Sequence, residues 1–303
     1  MASIKDLKKR IQSTKSTQQT TRAMKMVSAA YLRRAQDAIN SQRPYAQRVG
    51  ALLQHFVGMS DLEMNSPLLQ REETQATAGK RRLLLLVVTS DRGLAGGFNA
   101  NIIKGTQRWI KANDNRYSSI EMAFLGRKGF DFFKNRKVNI GQNFVELAGK
   151  VTFAKARKLS EALVESFTTQ RVDEVKVVYN IFRNALTQET TVEDFLPLRP
   201  APVPASLVPT QVMTDPGMYI VRPSPTEVLE QLLQKHFPIQ AFRIMLESQA
   251  GEHGARMSAM ENATKNAGEM ISALTLEYNK QRQASITREL LEIISGSESQ
   301  KVS

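Results

Sequence analysis

Residues 1–43 contain no proline, and none follows Pro238. Both proline-free flanks carry apolar or small residues at steps of three and four. In the first flank these are Met24, Val27, Tyr31, Ala35 and Ala38, then Tyr45, Val49, Leu52 and Phe56. In the second, Ile239, Phe242 and Leu246 lead to Met257, Met260, Thr264, Ala267, Ile271, Leu274 and Tyr278. The last seven alternate three and four strictly, the spacing of a coiled-coil seam rather than of a globular helix. Ser3 with Asp6 resembles a capping box with Asp in place of Glu. Pro44 predicts a kink or the end of a first section. A helix running to Phe56 is about 80 Å long at about 1.5 Å per residue. Neither stripe can face water, and the nearest partner for each is the other, which predicts an antiparallel pair. Homodimerisation through either helix is the alternative. Gly251, Gly254 and Gly268 each cost about 1 kcal/mol against alanine inside a helix, but let another backbone come close. Thr264 and Ala267 likewise make the seam thin.

Between the flanks the period changes. Leu83 to Thr89 is a short apolar run, as in a strand covered on both faces. The run Ile102 to Ala112 reads as helix, Ile120 to Leu125 as strand, and Lys128 to Asn135 as a short helix. Residues 153–170 carry Leu159, Leu163 and Phe167 at helical spacing. Val175 to Phe182 and Val192 to Leu198 read as further strands. This alternation predicts a Rossmann-like α/β domain. The expected organisation is an N-terminal coiled-coil helix over 1–57, a variable loop over 58–80, the α/β domain over 81–222 and a C-terminal coiled-coil helix over 223–303. Pro200 to Pro209, with Pro216, Pro223 and Pro225, reads as linker or edge.

The chemistry available is limited. The 303 residues include no cysteine and only three histidines, His55, His236 and His253. Disulfides, thiolate metal sites and cysteine nucleophiles are excluded, and a zinc site or Ser-His-Asp triad is disfavoured. The first ten residues have no apolar run behind their charges and do not read as a secretory signal. The longest strongly apolar run, Leu83 to Val88, is too short to span a bilayer.

The net charge of +13 is unevenly spread: residues 1–57 hold eleven Lys or Arg against two Asp, whereas residues 226–296 hold seven against nine Glu. A basic helix of this kind meets nucleic acid or anionic lipid, faces an acidic protein surface, or is simply solvated. The turn Ser90-Asp91-Arg92-Gly93-Leu94-Ala95-Gly96-Gly97-Phe98-Asn99 follows the first strand, where a glycine loop can cradle phosphate. Its glycines stand at the first, fourth and fifth positions, not the first, third and sixth of a dinucleotide fingerprint. Phe98 stands where a P-loop has lysine. A tight turn packing helix on strand is the favoured reading. With no paired carboxylates, metal spacing or nucleophile elbow elsewhere, the chain reads as non-catalytic, with no cofactor.

Four strings carry a resemblance: QTTRAMKMVSAAYLRRAQ from Gln19 to Gln36, RPYA from Arg43, SDRGLAGGFN from Ser90, and ARMSAMENATKNAGEMISALTLEYNKQRQASITRELLEIISG from Ala255 to Gly296. They resemble the gamma subunit of the F-type ATP synthase, closely at both ends and at the glycine turn, loosely through residues 58–80 and 135–215. The resemblance implies a central-stalk rotor in which the coiled coil stands inside the ring of alpha and beta subunits. The α/β domain then sits on the membrane c ring and against the epsilon subunit, and the catalytic chemistry belongs to beta. It further implies that Arg22, Met24 and Lys25 lie where the shaft meets an acidic beta loop. Arg256, Arg282, Gln283, Thr287 and Glu289 match positions that contact the catalytic ring. For Met24, seam packing is an equal reading. Tyr219 is the one expected contact with the c ring or epsilon. Where the family often has an acidic residue before a proline, this chain has Arg222 before Pro223, which puts other contacts there in doubt.

The absence of cysteine removes a thiol switch. Without a visible transit peptide the expected location is the cytoplasmic face of a bacterial inner membrane, held peripherally. The rival reading is a basic coiled-coil protein binding nucleic acid. Against it, Tyr31 and Tyr45 fall on the expected seam and are not interleaved with the basic residues for stacking. A nucleotide-dependent enzyme built on the middle domain is the third reading.

Overall fold

The computed structural model describes residues 3–57, 68–69, 81–147, 149–184, 187–198, 222 and 224–301. The chain divides into two compact units, residues 30–255 and residues 1–29 with 256–303. Two long helices, α1 (Ile4–Val57) and α5 (Pro225–Lys301), contribute to both. Most of the expected loop 58–80 lies outside the described residues, as do residues 200–209, Pro216, Tyr219 and Pro223 of the expected linker and head edge.

The unit of residues 30–255 is built on five strands: β1 (Arg81–Val88), β2 (Tyr117–Leu125), β3 (Asn139–Asn143), β4 (Glu174–Phe182) and β5 (Gln188–Leu196). Their order is β3-β2-β1-β4-β5. The first four are parallel, and β5 runs antiparallel to β4. β1 is the centre, and alternate side chains along a strand point to opposite faces. Leu83, Leu85 and Val87 enter one core with Phe98 and Ile102 of α2 (Phe98–Asn113) and Phe133 of α3 (Arg127–Phe133). Leu84, Leu86 and Val88 enter the other, with Leu159 and Leu163 of α4 (Phe153–Thr168), Leu229, Leu233 and Phe237 of α5, and Leu53 and Phe56 of α1. Two apolar environments explain why β1 reads as a continuous apolar run. Each of these fully buried leucines contributes about 2 kcal/mol.

The Rossmann-like expectation is met with two additions. β3 went unread because its sequence, Asn-Ile-Gly-Gln-Asn, has a single large apolar residue; it is held as an edge strand by pairing Met122 with Ile140 and Phe124 with Asn143. The last strand begins at Gln188 rather than Val192, because the chain turns back after β4 and its polar start pairs with Ile181 and Phe182. At the bend, Asn184 N–H donates to Thr187 O at 3.2 Å and Thr187 N–H to Asn184 Oδ1 at 2.6 Å.

The C-terminal helix starts well before Pro238. Pro225 takes the first helical position, where its missing N–H costs nothing. Ser224 caps it, accepting from Glu227 N–H at 3.3 Å and donating to Glu227 Oε1 at 3.3 Å. The helix then passes through Pro238, whose neighbours Phe237 and Ile239 are both buried. Likewise α1 does not end at Pro44. At the N-terminus Ser3 Oγ accepts from Lys5 N–H at 3.3 Å, so the cap forms without Asp6.

The expected stripe on α1 holds at Ala35, Ala38, Val49, Leu52 and Phe56, which are buried or partly buried, and misses by one residue at Met24, Val27, Tyr31 and Tyr45. The continuous shielded stripe runs through Leu7, Ile11, Thr14, Gln18, Thr21, Lys25, Ser28, Leu32, Ala35, Ile39, Gln42, Ala46, Val49, Leu53 and Phe56, spaced four and three. Met24, Val27 and Tyr31 are instead 38%, 55% and 46% exposed. Apolar residues on one edge of the helix outvote polar ones in a sequence scan, yet the true stripe contains Gln18, Thr21, Lys25, Ser28 and Gln42. Polar groups are tolerated there because the facing chain bonds them: Gln42 Nε2, for example, donates to Ile239 O at 3.0 Å. Tyr31 lies beside the stripe, stacked on His253 with centroids 5.0 Å apart.

Candidate functional site

Within the unit formed by residues 1–29 and 256–303, α1 and α5 make the antiparallel pair that the two stripes predict. Lys25 Nζ donates to Glu261 Oε1 at 2.6 Å. One turn back, the Thr21 and Thr264 hydroxyls are 2.8 Å apart, and Gln18 Nε2 donates to Thr264 O at 3.4 Å. A Cβ added to Gly268 would stand 3.0 Å from Gln18 Nε2, so the missing side chain makes room for that amide. Numbers fall along α1 as they rise along α5, which fixes the direction. On α5 the stripe is the expected one: Met260 and Ala267 are buried, and Met257, Thr264, Ile271, Leu274 and Tyr278 are partly so. The exposed Lys25–Glu261 pair contributes about 0.5 kcal/mol and the Thr21–Thr264 bond about 1 kcal/mol. Their larger effect is on register, which polar seam residues specify.

The residues singled out from the sequence fall into three settings. Arg22 and Met24 are on the exposed flank of α1, whereas Lys25 is in the seam, engaged with Glu261. Arg256 is partly shielded. Arg282, Gln283, Thr287 and Glu289 are all exposed on one stretch of α5. There the Thr287 hydroxyl donates to Gln283 O at 3.0 Å and the Ser285 hydroxyl to Glu289 Oε1 at 3.3 Å. Tyr219 lies outside the described residues, and Arg222 is exposed.

Sequence reasoning missed the feature beside that cluster. Every residue from 286 to 295 is exposed, including Ile286, Leu290, Leu291, Ile293 and Ile294. Five large apolar side chains exposed on ten residues of helix is far from ordinary surface composition. A signal was available: apolar residues continue along the helix past Tyr278.

In the other unit, the glycine turn is committed to packing. Asn99 Oδ1 accepts from Ser90 N–H at 3.0 Å, and the Ser90 hydroxyl donates to Arg92 O at 2.7 Å. Asp91 Oδ1 accepts from Arg127 N–H at 3.0 Å, and Ser90 O from Lys128 N–H at 3.1 Å, tying the turn to α3. Gly126 makes this approach possible: its φ is +102°, and a Cβ there would lie 2.0 Å from Thr89 O. Leu94, at φ 61° and 63% exposed, is the turn's projecting residue. At the carboxyl ends of β1 to β3, a cavity of about 600 Å³ is lined by Asp91, Arg92, Arg127, Asn143, Val145 and Glu146. Its mixed charges select no single ligand. Among the described residues there is no cluster of His, Cys, Asp or Glu able to hold a metal ion, and no helix is long and apolar enough to cross a membrane.

The chain thus combines an antiparallel pair of long helices with a Rossmann-like domain carrying an added antiparallel strand. The ATP synthase family model matches residues 3–299. The ATP synthase gamma chain of Geobacter metallireducens is 46% identical over 301 residues, 99% of this chain and all of that one. Among solved structures, a chain of the Tetrahymena thermophila mitochondrial ATP synthase central stalk and c ring aligns with TM-score 0.57 and 22% identity over 80% of this chain and 99% of that one. A chain of the Euglena gracilis mitochondrial ATP synthase (OSCP, F1 and c ring) aligns with TM-score 0.62 and 19% identity over 98% and 94%. At that identity the structural likeness speaks to fold, and the sequence relatives carry the family. The chain belongs to the ATP synthase gamma chain family, the central-stalk rotor subunit of the F-type enzyme.

Proposed function

We propose that the exposed surface of the helix pair, continued by residues 286–295, is the bearing on which this rotor turns inside a ring of alpha and beta subunits. The carrying observation is the exposed apolar end, Ile286 to Ile294, where five large apolar side chains stand on a fully exposed stretch of α5. An apolar contact suits a bearing because hydrophobic attraction has no preferred orientation, and Arg288, Glu289 and Glu292 are interspersed among these side chains. Arg282 and Gln283 beside it, Thr287 and Glu289 within it, and Arg256 and Arg22 supply polar contacts to loops of the ring, with Met24 an exposed apolar one. Lys25 acts mainly through Glu261, holding the register that places Met24 and Arg22 outward. The excess positive charge of residues 1–57 favours an acidic partner surface. The α/β domain rides on the c ring and epsilon, with Tyr219 among its contacts, and couples proton flow to ATP synthesis. The subunit needs no cofactor and is held peripherally at the cytoplasmic face of a bacterial inner membrane.

The test is reconstitution with alpha and beta subunits. Addition of this chain is expected to produce a fast, cooperative ATPase; hydrolysis no better than that of alpha and beta alone overturns the assignment. In the assembled complex, replacing both Arg282 and Gln283 with alanine is expected to weaken assembly or coupling. No change in either removes that pair from the contact surface.

A further inference from the structure

The contact of α5 with the β4–β5 hairpin is mostly apolar, with a single bond from Gln188 Nε2 to Gly251 O at 2.9 Å and one larger polar cluster. Arg243 projects from α5 and uses its whole guanidinium group. Its Nε donates to Gln240 Oε1 at 2.9 Å, and Nη1 donates to Tyr179 Oη at 3.0 Å and to Glu247 Oε1 at 3.2 Å. Nη2 donates to Glu193 Oε1. The Tyr179 hydroxyl in turn donates to Glu193 Oε2 at 2.6 Å. One side chain thus joins the helix to two neighbouring strands, since Tyr179 is on β4 and Glu193 on β5. Tyr179 is fully buried. The second oxygen of Glu247 is buried with no hydrogen-bond partner among the described residues, so the cluster sits where an unpaired polar atom is costly.

Apolar packing resists separation but not rolling or sliding, because it has no preferred direction. A guanidinium fork has fixed geometry and resists both. Replacing a buried ion pair by apolar residues is often neutral or favourable for stability, so such a cluster is weak evidence for stability and better evidence for a defined orientation. This matters in a rotor. The α/β domain is joined covalently to α5 only through residues 197–224 and to α1 only through residues 58–80. A torque borne by the sheet must therefore enter the helices through side-chain contacts. From Arg243 onward α5 continues as one helix to Lys301.

We infer that Arg243, held by Tyr179 and Glu193, is the torsional key that locks the shaft helix to the sheet, so that turning the α/β domain turns α5 without slip. The inference rests on the rotor reading.

The experiment fixes the reconstituted complex with alpha and beta to a surface, attaches a bead to the α/β domain, and records the bead's angular fluctuation at rest. The key is removed without stranding a charge by combining Arg243→Met, Glu193→Gln and Glu247→Gln. The variance is expected to at least double while ATP hydrolysis stays within twofold of wild type, which a merely stabilising cluster would not produce. Two milder variants, Tyr179→Phe and Arg243→Lys, keep the charge balance and are expected to widen the fluctuation by a smaller factor; they decide the matter if the triple variant does not assemble. Arg157→Met, which breaks the exposed Arg157–Glu161 pair (3.3 Å) on α4, is the control and should leave the variance unchanged. Unaltered variance in the variants that assemble overturns the inference. A wild-type complex that hydrolyses ATP while its bead never rotates overturns the rotor reading itself, and the two failures are told apart by that bead.

Discussion

His236 lies on α5 with 9% of its surface exposed. Burial disfavours its charged form, and the nearby Arg243 guanidinium adds repulsion; together they push its pKa down from 6.5 to about 4. Above pH 6.5 the ring is neutral in both folded and unfolded chains, and the folded state has its full stability. As the pH falls below 6.5 the unfolded chain takes up the proton and the folded chain does not, so stability falls until the folded pKa is passed. The shift amounts to about 3 kcal/mol in full, and about 2 kcal/mol is lost by about pH 5. Two measurements on the full-length chain check this. In a ¹³C-labelled histidine NMR titration, the His236 ring should stay neutral down to about pH 4. In urea unfolding followed by helical circular dichroism, His236→Gln should lose about 2 kcal/mol less than wild type between about pH 7.5 and pH 5, because carboxylates titrating in the same range cancel in the comparison. A His236 midpoint near 6.5, or equal acid losses in the two proteins, refutes the burial argument.

Other perturbations test other levels of the structure. Gly126→Ala forces a side chain into a left-handed position and against Thr89 O, and should destabilise the α/β domain by about 3 kcal/mol or more in chemical denaturation; a loss under 1 kcal/mol means the turn relaxes freely. Lys25→Ala should cost only about 0.5 kcal/mol in the isolated chain, since both partners are exposed, and a double-mutant cycle with Glu261→Ala measures it. Leu290→Asp combined with Ile293→Asp should leave the melting temperature of the isolated chain unchanged but reduce assembly with alpha and beta at least tenfold, read by size-exclusion chromatography. Unimpaired assembly removes that helix end from the bearing.

Much of this architecture is written locally. The three-and-four stripe from Met257 to Tyr278 is a property of the sequence, because helical period and burial agree there. The same is true of β1, whose two apolar sides meet two cores, and of the glycine turn, whose spacing already excluded the phosphate-binding motifs. The resemblance at both ends and at that turn named the family that the relatives bear out.

What was illegible depended on partners distant in sequence. The stripe on α1 was misplaced by one residue at Met24, Val27, Tyr31 and Tyr45 because Thr21, Lys25 and Gln42 look like surface until Thr264, Glu261 and Ile239 O stand opposite them. β3 has no apolar run and exists because β2 offers it an edge. Arg243 read as one more charge on a helix until Tyr179, Glu193 and Glu247 surrounded it. Sequence alone determined that two long helices and an α/β domain must form, since period and apolar pattern are local. Tertiary structure decided which face of α1 closes the pair and which charged side chain is drawn into a contact between helix and sheet, because the energy of a polar group depends on what the rest of the chain places against it.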